Sequence, residues 1–394
     1  MLSKLGQLCL RLRPPRYSTI RQMSEKGKDQ ALKFEIGSGD KKKVYEYTDT
    51  ATSQRRANKF YDWFTTLKGQ KFVGSMWIGL SAVGALYHIA PHWFFLNQVK
   101  SVYQSYSKGF KAPIQNELLT LLNDVVKEMN LNDEEVERLK VFITTLSEPY
   151  GWGELGKDAL VGFPDYFQYE GVGDVPMDKI RIGTAASGSD NLFLTGGQIE
   201  SEAGKQFASS LVLSSDAKKF AIARELERTR QLPFMTHGVI SFCFILLTYN
   251  FARIMNKKLG LMGKPPLFRG MLYLGLLPTM MMSYFLTKDM YNRYLEREID
   301  RRAALVTPGY SAGGDYTNYH DIIIAAGISF NTSMYAGVEY YTKILQRNAA
   351  MREFQGEAGA ARYTRHGDIV QGLLRSKVVS ISDRRDICAS QTVN

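Results

Sequence analysis

The stretch "DAKKFAIARELERTR", Asp216–Arg230, runs almost directly into "LPFMTHGVISFCFILLTYNFA", Leu232–Ala252. The two halves require opposite surroundings. The first is dense in charge, with Lys218, Lys219, Arg224, Glu225, Glu227, Arg228 and Arg230. The second holds no Asp, Glu, Lys or Arg over the ~20 residues that cross a bilayer. Ser214 or Ser215 supplies an N-cap to the charged helix, and Asp216 suits its positive end. The junction near residue 231 therefore predicts a membrane boundary with a soluble domain built against it.

Two further apolar runs flank this one. Phe72–Ala90 lacks Asp, Glu, Lys and Arg, and Trp77, Tyr87 and Trp93 suit its interfaces. Met271–Thr287 is slightly short and carries Pro278. The connection between the last two runs holds Arg253, Lys257, Lys258, Lys264 and Arg269 and no acid. Short basic loops stay on the cytoplasm-equivalent side. The N-terminal "MLSKLGQLCLRLRPPRYSTIRQMS" has Lys4, Arg11, Arg13, Arg16 and Arg21 and no acid before Glu25. Its leucines share one face of a short helix, which is a mitochondrial presequence signature. The inner side is then the matrix.

The expected organisation is a presequence (1–23), a polar, largely disordered matrix segment (24–70) and a first span (72–90). A first soluble part in the intermembrane space (91–231) follows, then a second span (232–252), a basic matrix loop (253–270) and a third span (271–287). A second soluble part (288–383) carries an insert (313–334), and a flexible tail (384–394) closes the chain. The expected localisation is the mitochondrial inner membrane, multi-pass, with the soluble bulk in the intermembrane space.

The chain has 394 residues and a net charge of +11 spread along its length, without an arginine-rich tract or zinc-finger spacing. Nucleic acid is not an expected partner. Cys9, Cys243 and Cys388 form no CxC or CxxC pair, which argues against a disulfide framework and against a thiolate copper or zinc site. Residues 113–146 predict two amphipathic helices, with Leu118, Leu121, Leu122, Val125 and Val126 as the first stripe and Asn132 with Glu135 capping the second. "ALVGFPDYF", "KIRIG", "NLFLTGG" and "SSLVLSS" predict short strands. Helices are expected from Tyr291 toward Pro308 and over 335–354. The fold class is an α+β membrane protein, mainly helical, with about three transmembrane helices and a small sheet.

"RELER" at 224–228 has the layout of the zinc-peptidase motif HExxH, with arginine at both histidine positions. A permanently protonated guanidinium has no lone pair for zinc. Taken alone, RExxR is an ordinary charged helix. In its setting it is similar to the membrane gluzincin peptidases, in which a strand leads into HExxH, a membrane hairpin follows, and an ExxxD helix supplies the third ligand. Here Glu296 and Asp300 of "EREID" take the last two positions. The resemblance implies a degenerate zincin-like fold. Its vestigial site would comprise Arg224, Glu225, Arg228, Glu296 and Asp300, with ion pairs where a metal once sat. No catalytic residue, metal or cofactor is expected, and the chain reads as a pseudoenzyme. His88 and His92 lack a third ligand, and Met280–Met282 suits packing in an apolar span.

Several stretches resemble the transmembrane protein 177 family. They are "VGS" (73–75), "YHIAP" (87–91), "ALVGFP" (159–164), "AKKFAIARE" (217–225), "DRRAAL" (300–305), "GVEYYTKIL" with Asn348, "RYTRHGDIV" (362–370) and "RRD" (384–386). The likeness covers roughly residues 70–387. The long N-terminus and the insert depart from the family pattern. The resemblance implies a mitochondrial inner-membrane factor in the assembly of cytochrome c oxidase subunit 2. Its implied protein partners are that subunit, its membrane chaperone (cytochrome oxidase assembly factor 20) and copper metallochaperones, in a lipid bilayer. An active metalloprotease and a membrane transporter are the alternatives. The first needs zinc histidines, and the second needs charged groups within the spans. Oligomeric state is not readable.

Overall fold

A computed structural model describes residues 33–36, 43–46, 63, 66–180, 194–261, 264–306, 332–372 and 378–390. The presequence, Arg181–Phe193 and nearly all of the insert lie outside these residues. The chain divides into two units, Met1–Gly74 and Ser75–Asn394. In the first, β1 (Lys33–Ile36) pairs antiparallel with β2 (Lys43–Glu46). Part of the segment expected to be largely disordered is therefore a hairpin. Period-2 alternation in "KFEI" and "KVYE" gives the physical reason.

The first apolar run lies in α1 (Leu67–Trp93), followed by α2 (Leu96–Tyr103) and a small hairpin of β3 (Tyr106–Ser107) and β4 (Phe110–Lys111). Next come α3 (Asn116–Glu128), α4 (Asp133–Glu137), β5 (Leu139–Thr144), β6 (Tyr150–Glu154) and β7 (Asp158–Pro164). After them stand α5 (Gly196–Glu200), α6 (Glu202–Leu211), α7 (Ser215–Gln231), α8 (Pro233–Lys258) and α9 (Pro266–Leu305). The described chain ends with α10 (Thr332–Gln355), α11 (Glu357–Arg362) and α12 (Ile381–Ser390).

Three helices are long and apolar enough to cross a membrane: α1, α8 and α9. Met76, Leu80 and Leu86 on α1, Val239 and Leu247 on α8, and Leu274 and Leu277 on α9 are exposed. Such apolar bands suit lipid. α1 and α8 approach closely at two glycines, where a Cβ would stand 2.6 Å from Ile245 Cδ1 at Gly84 and 3.0 Å from Ile89 Cδ1 at Gly238. Hydrogen bonds join the spans, from Asn256 to the Tyr273 hydroxyl at 2.7 Å and between Ser241 and Tyr284 at 3.0 Å.

The 40 residues of α9 extend ~60 Å, twice a ~30 Å hydrocarbon core. The third span and the helix expected after it are thus one rod, because no Gly or Pro interrupts Lys288–Leu305. Its apolar half suits the bilayer. Its charged half carries Glu296 and Asp300 into the soluble domain.

The three-stranded sheet has the order β5-β7-β6, with β5 parallel and β6 antiparallel to β7. β7 is buried along nearly its whole length, as a central strand requires. Two expectations are corrected here. The second helix expected within 113–146 stops at Glu137, after the Asn132–Glu135 capping box. "LKVFIT" then pairs with β7, where its β-branched and aromatic residues bury Phe142 and Ile143. "SSLVLSS" is not a strand but the end of α6 and the link to α7, because α6 buries Phe207 and Leu211 on one helical face. A helix, not a strand, therefore leads into "RELER".

The main core joins α3, the sheet, α6, α7, α9, α10 and α12 through Val125, Ile143, Phe163, Phe220, Leu226 and Tyr340, all 2 % exposed or less. The tail is a third correction. Of the tail expected to be flexible, residues 384–390 belong to α12, whose Cys388 has no exposed surface, and the rest lie outside the described residues. The side chain packs beside Gly337 of α10, so tertiary contact orders a segment whose sequence reads as polar.

Candidate functional site: a buried arginine–carboxylate cluster

α7 starts at Ser214, whose hydroxyl accepts from the Ala217 N–H at 3.2 Å and donates to Glu339 at 2.6 Å. The helix is buried almost all round between α3, β6, α9 and α10. At its end Leu232 is left-handed (φ 51°, ψ 52°) and Pro233 opens α8. The break redirects the chain from domain to membrane.

Burial leaves the charged side chains of Arg224, Glu225, Glu227 and Arg228 without water, so each needs a partner. Arg224 Nε donates to Asp300 Oδ1 at 3.0 Å and Nη2 to Glu296 Oε2 at 2.6 Å, and Nη1 pairs with Glu225. Arg228 Nε donates to Glu225 Oε2 at 3.0 Å and Nη1 pairs with Glu296 Oε1 at 2.8 Å. All five residues expected to form a vestigial site therefore meet. Arg384 of α12 joins them, at 2.7 Å to Asp300 Oδ2 and 2.9 Å to Glu296 Oε2. The Tyr341 hydroxyl donates to Asp300 at 2.6 Å, and the Gly151 N–H of β6 donates to Glu225 Oε2 at 2.9 Å. The rings of Tyr150 and Tyr341 lie under Arg228 and Arg384, at 5.0 and 4.8 Å.

Three guanidinium groups thus balance three carboxylates. Glu225 and Asp300 are fully buried and Arg224 is 3 % exposed. Burial alone would lift the Glu296 carboxyl, but Arg228, Arg384 and Arg224 outweigh it and hold that group well below the usual carboxylate range. Burial likewise disfavours the charged Arg224 guanidinium, and Tyr341, Glu225, Glu296 and Asp300 more than reverse the effect.

Chemically, the cluster is a network of ion pairs with its donors and acceptors engaged. Both Glu225 oxygens receive donors, Oε1 from Arg224 and Oε2 from Arg228 and the Gly151 N–H. Among the described residues no group of three or more His, Cys, Asp and Glu is arranged to hold a metal ion. A cavity of about 280 Å³ adjoins the cluster where domain meets membrane, lined by His88, His92, Tyr150, Arg228, His237 and Glu296 among others. His92 stacks on Phe234 at 4.5 Å and accepts from the Gly153 N–H at 3.3 Å. His88 contacts the Tyr284 hydroxyl at 3.3 Å, so both histidines join elements.

Sequence reasoning missed Arg384, Tyr341 and Gly151. The first two lie in "RRD" and "GVEYYTKIL", stretches used above only for the family likeness. Gly151 contributes a backbone N–H, which side-chain pattern does not mark.

Three bilayer-length helices bearing an α+β domain define a multi-pass membrane protein. The chain is similar to Transmembrane protein 177 of Xenopus laevis, 27% identical over 327 residues that cover 80% of this chain and 93% of the relative. It is similar to the proteins of the same name from Danio rerio, 25% identical over 78% of this chain and 88% of the relative, and Homo sapiens, 26% identical over 78% and 87%. The resemblance to that family read from the motifs is borne out along about four-fifths of the chain. No family model and no solved structure matches. The zincin-like element rests on the local arrangement alone.

Proposed function

We propose that this protein is a non-catalytic scaffold of the mitochondrial inner membrane that holds newly made cytochrome c oxidase subunit 2 during assembly, beside that subunit's membrane chaperone and copper metallochaperones. The observation that carries the non-catalytic part is the saturation of the cluster. Arginines occupy the ligand positions of the zincin layout, and the carboxylate in the base position is held by Gly151, Arg224 and Arg228. Such a network ties α7, α9, α12 and β6 into a platform at the membrane boundary. The compartment rests on the basic, acid-poor leader. The client rests on the resemblance to transmembrane protein 177. Deleting the gene and following pulse-labelled subunit 2 tests this reading. Faster loss of the new subunit is expected, and unchanged levels and turnover would overturn it.

The convergence of Arg224 and Arg228 on Glu296 supports descent from a peptidase layout. Substituting both arginines as Arg224→His and Arg228→His should then create zinc affinity that Glu296→Gln abolishes, measured as metal per protein after dialysis. Stoichiometric zinc in the unaltered protein, with hydrolysis lost in Glu225→Gln, would instead favour an active metalloprotease.

A further inference from the structure

A second concavity lies in the soluble domain and shares no lining residue with the cavity beside the ion cluster. It measures about 510 Å³ and is lined by Gln206 of α6, Thr342 and Gln346 of α10, Arg365 and His366, and Arg385 of α12, among others. That size falls within the range of ligand pockets. We propose that this groove binds an acidic peptide segment, its carboxylates held by Arg365 and Arg385.

The turn that carries Arg365 and His366 is pinned from beneath. Gly367 has φ +85°, and a Cβ there would collide with the Leu345 carbonyl, so only glycine lets the turn sit directly on α10. Asn348, buried on α10, donates to the Gly367 carbonyl at 2.9 Å. The Thr364 hydroxyl accepts from the Asp368 N–H at 3.1 Å, and the Asp368 carboxylate accepts from the Ser382 N–H at 3.0 Å. Thr364, Gly367, Asp368 and Asn348 therefore account for the shape of the turn, with Asp368 occupied by the start of α12. Arg365 and His366 add nothing to it. Both are exposed, and among the described residues neither has a hydrogen-bond or ion-pair partner. They are displayed on a rigid support.

Arg385 pairs with Asp386 at 2.8 Å, but that pair is exposed and adjacent in sequence. Exposed pairs are worth little, so an incoming carboxylate displaces it at small cost. Gln206, Gln346 and His366 supply neutral donors around the two guanidinium groups. A guanidinium fork matches a carboxylate in two parallel hydrogen bonds. The occupant is a peptide and not a lipid headgroup because of distance. Asp300 stands ~20 Å along α9 from the last apolar residue of the span at 1.5 Å per residue. Tyr341 bonds to Asp300, and the groove follows from Thr342 onward.

The proposal rests on the scaffold reading only for which protein supplies the segment. Its test uses no oxidase subunit, so the two fail separately. The full chain in phosphatidylcholine nanodiscs is titrated into fluorescein-labelled hexaglutamate and anisotropy is read. Binding that weakens with salt is expected. Arg365→Glu alone, and Arg365→Glu with Arg385→Glu, should each weaken it about tenfold or more, as loss of a bidentate contact implies. Lys108→Glu with Lys111→Glu makes the same charge change at a remote hairpin and should leave binding within about twofold, since exposed charges far from a contact matter little. No binding by the unaltered chain, or equal loss in the lysine pair, would overturn the proposal. So would displacement by inorganic phosphate at the concentration at which unlabelled peptide displaces the probe. Because Arg385 neighbours Arg384, the Arg365→Glu variant, checked for an unchanged unfolding midpoint, decides the matter if the double variant unfolds.

Discussion

Asp300 has no exposed surface and receives donors from Arg224, Arg384 and Tyr341. Removing it takes one carboxylate from two guanidinium groups, leaving Arg224 with Glu225 and Glu296 and Arg384 with Glu296 alone. Asp300→Ala should cost on the order of 3–5 kcal/mol, as breaking one side of a buried ion pair does. Tyr341→Phe deletes one hydrogen bond to a charged group and should cost roughly 1.5–3 kcal/mol. Denaturant unfolding in detergent measures both. Glu296 sets the pH response. Its folded carboxyl titrates below its unfolded value of roughly 4.3, so its contribution is full above that value and is lost as pH falls through the folded value. Unfolding midpoints should therefore fall on acidification below about pH 4.3, and Glu296→Gln should flatten that dependence. A slope unchanged by the substitution would refute the assignment. At this scale Arg224, Glu225, Arg228, Glu296 and Asp300 were legible through the resemblance of RExxR and ExxxD, on either side of the membrane hairpin, to the gluzincin layout. Arg384 was not, since its partners lie 84 and 88 positions away in sequence.

Among the elements, α12 illustrates order imposed from outside. Nothing in "ISDRRDICAS" forms a strong amphipathic stripe, and the helix exists because Arg384 enters the ion cluster and Cys388 packs on α10. Gly337 permits that approach, since a Cβ there would stand 2.8 Å from Cys388 Sγ and 3.0 Å from the Phe220 ring. Gly337→Ala should destabilise by roughly 1–3 kcal/mol through overpacking. Cys388→Ala should recover part of the loss, with a coupling of about 0.5 kcal/mol or more in a double-mutant cycle. Additive losses would show that the helices do not meet at this point. β5 teaches the same lesson in reverse. Its sequence continues a helical reading from Glu137, and only pairing with β7 makes it a strand.

For the whole molecule, α8 and α9 carry the basic connection away from the soluble domain, since both enter the membrane half from α7 and from the ion cluster. Under the proposed topology, protease added to mitoplasts should remove an epitope at the C-terminus and spare one placed at residues 259–261. The opposite pattern on blots would invert the orientation.

The sequence by itself determined the membrane spans and the family likeness, whereas the basic loop expected over 253–270 is largely helix, Arg253, Lys257 and Lys258 closing α8 and Arg269 opening α9. Crossing a bilayer is a local property, legible in ~20 consecutive apolar residues. It also marked five of the six charged members of the cluster. Only the tertiary structure decided that the third span and the following helix are one rod, that residues 139–144 are a strand, and that the tail is a helix. It alone brought Arg384, Tyr341 and the Gly151 N–H to the carboxylates. The physical reason is that a buried charge is satisfied by whichever donor the packing brings near it, and packing partners distant in sequence leave no periodicity to read.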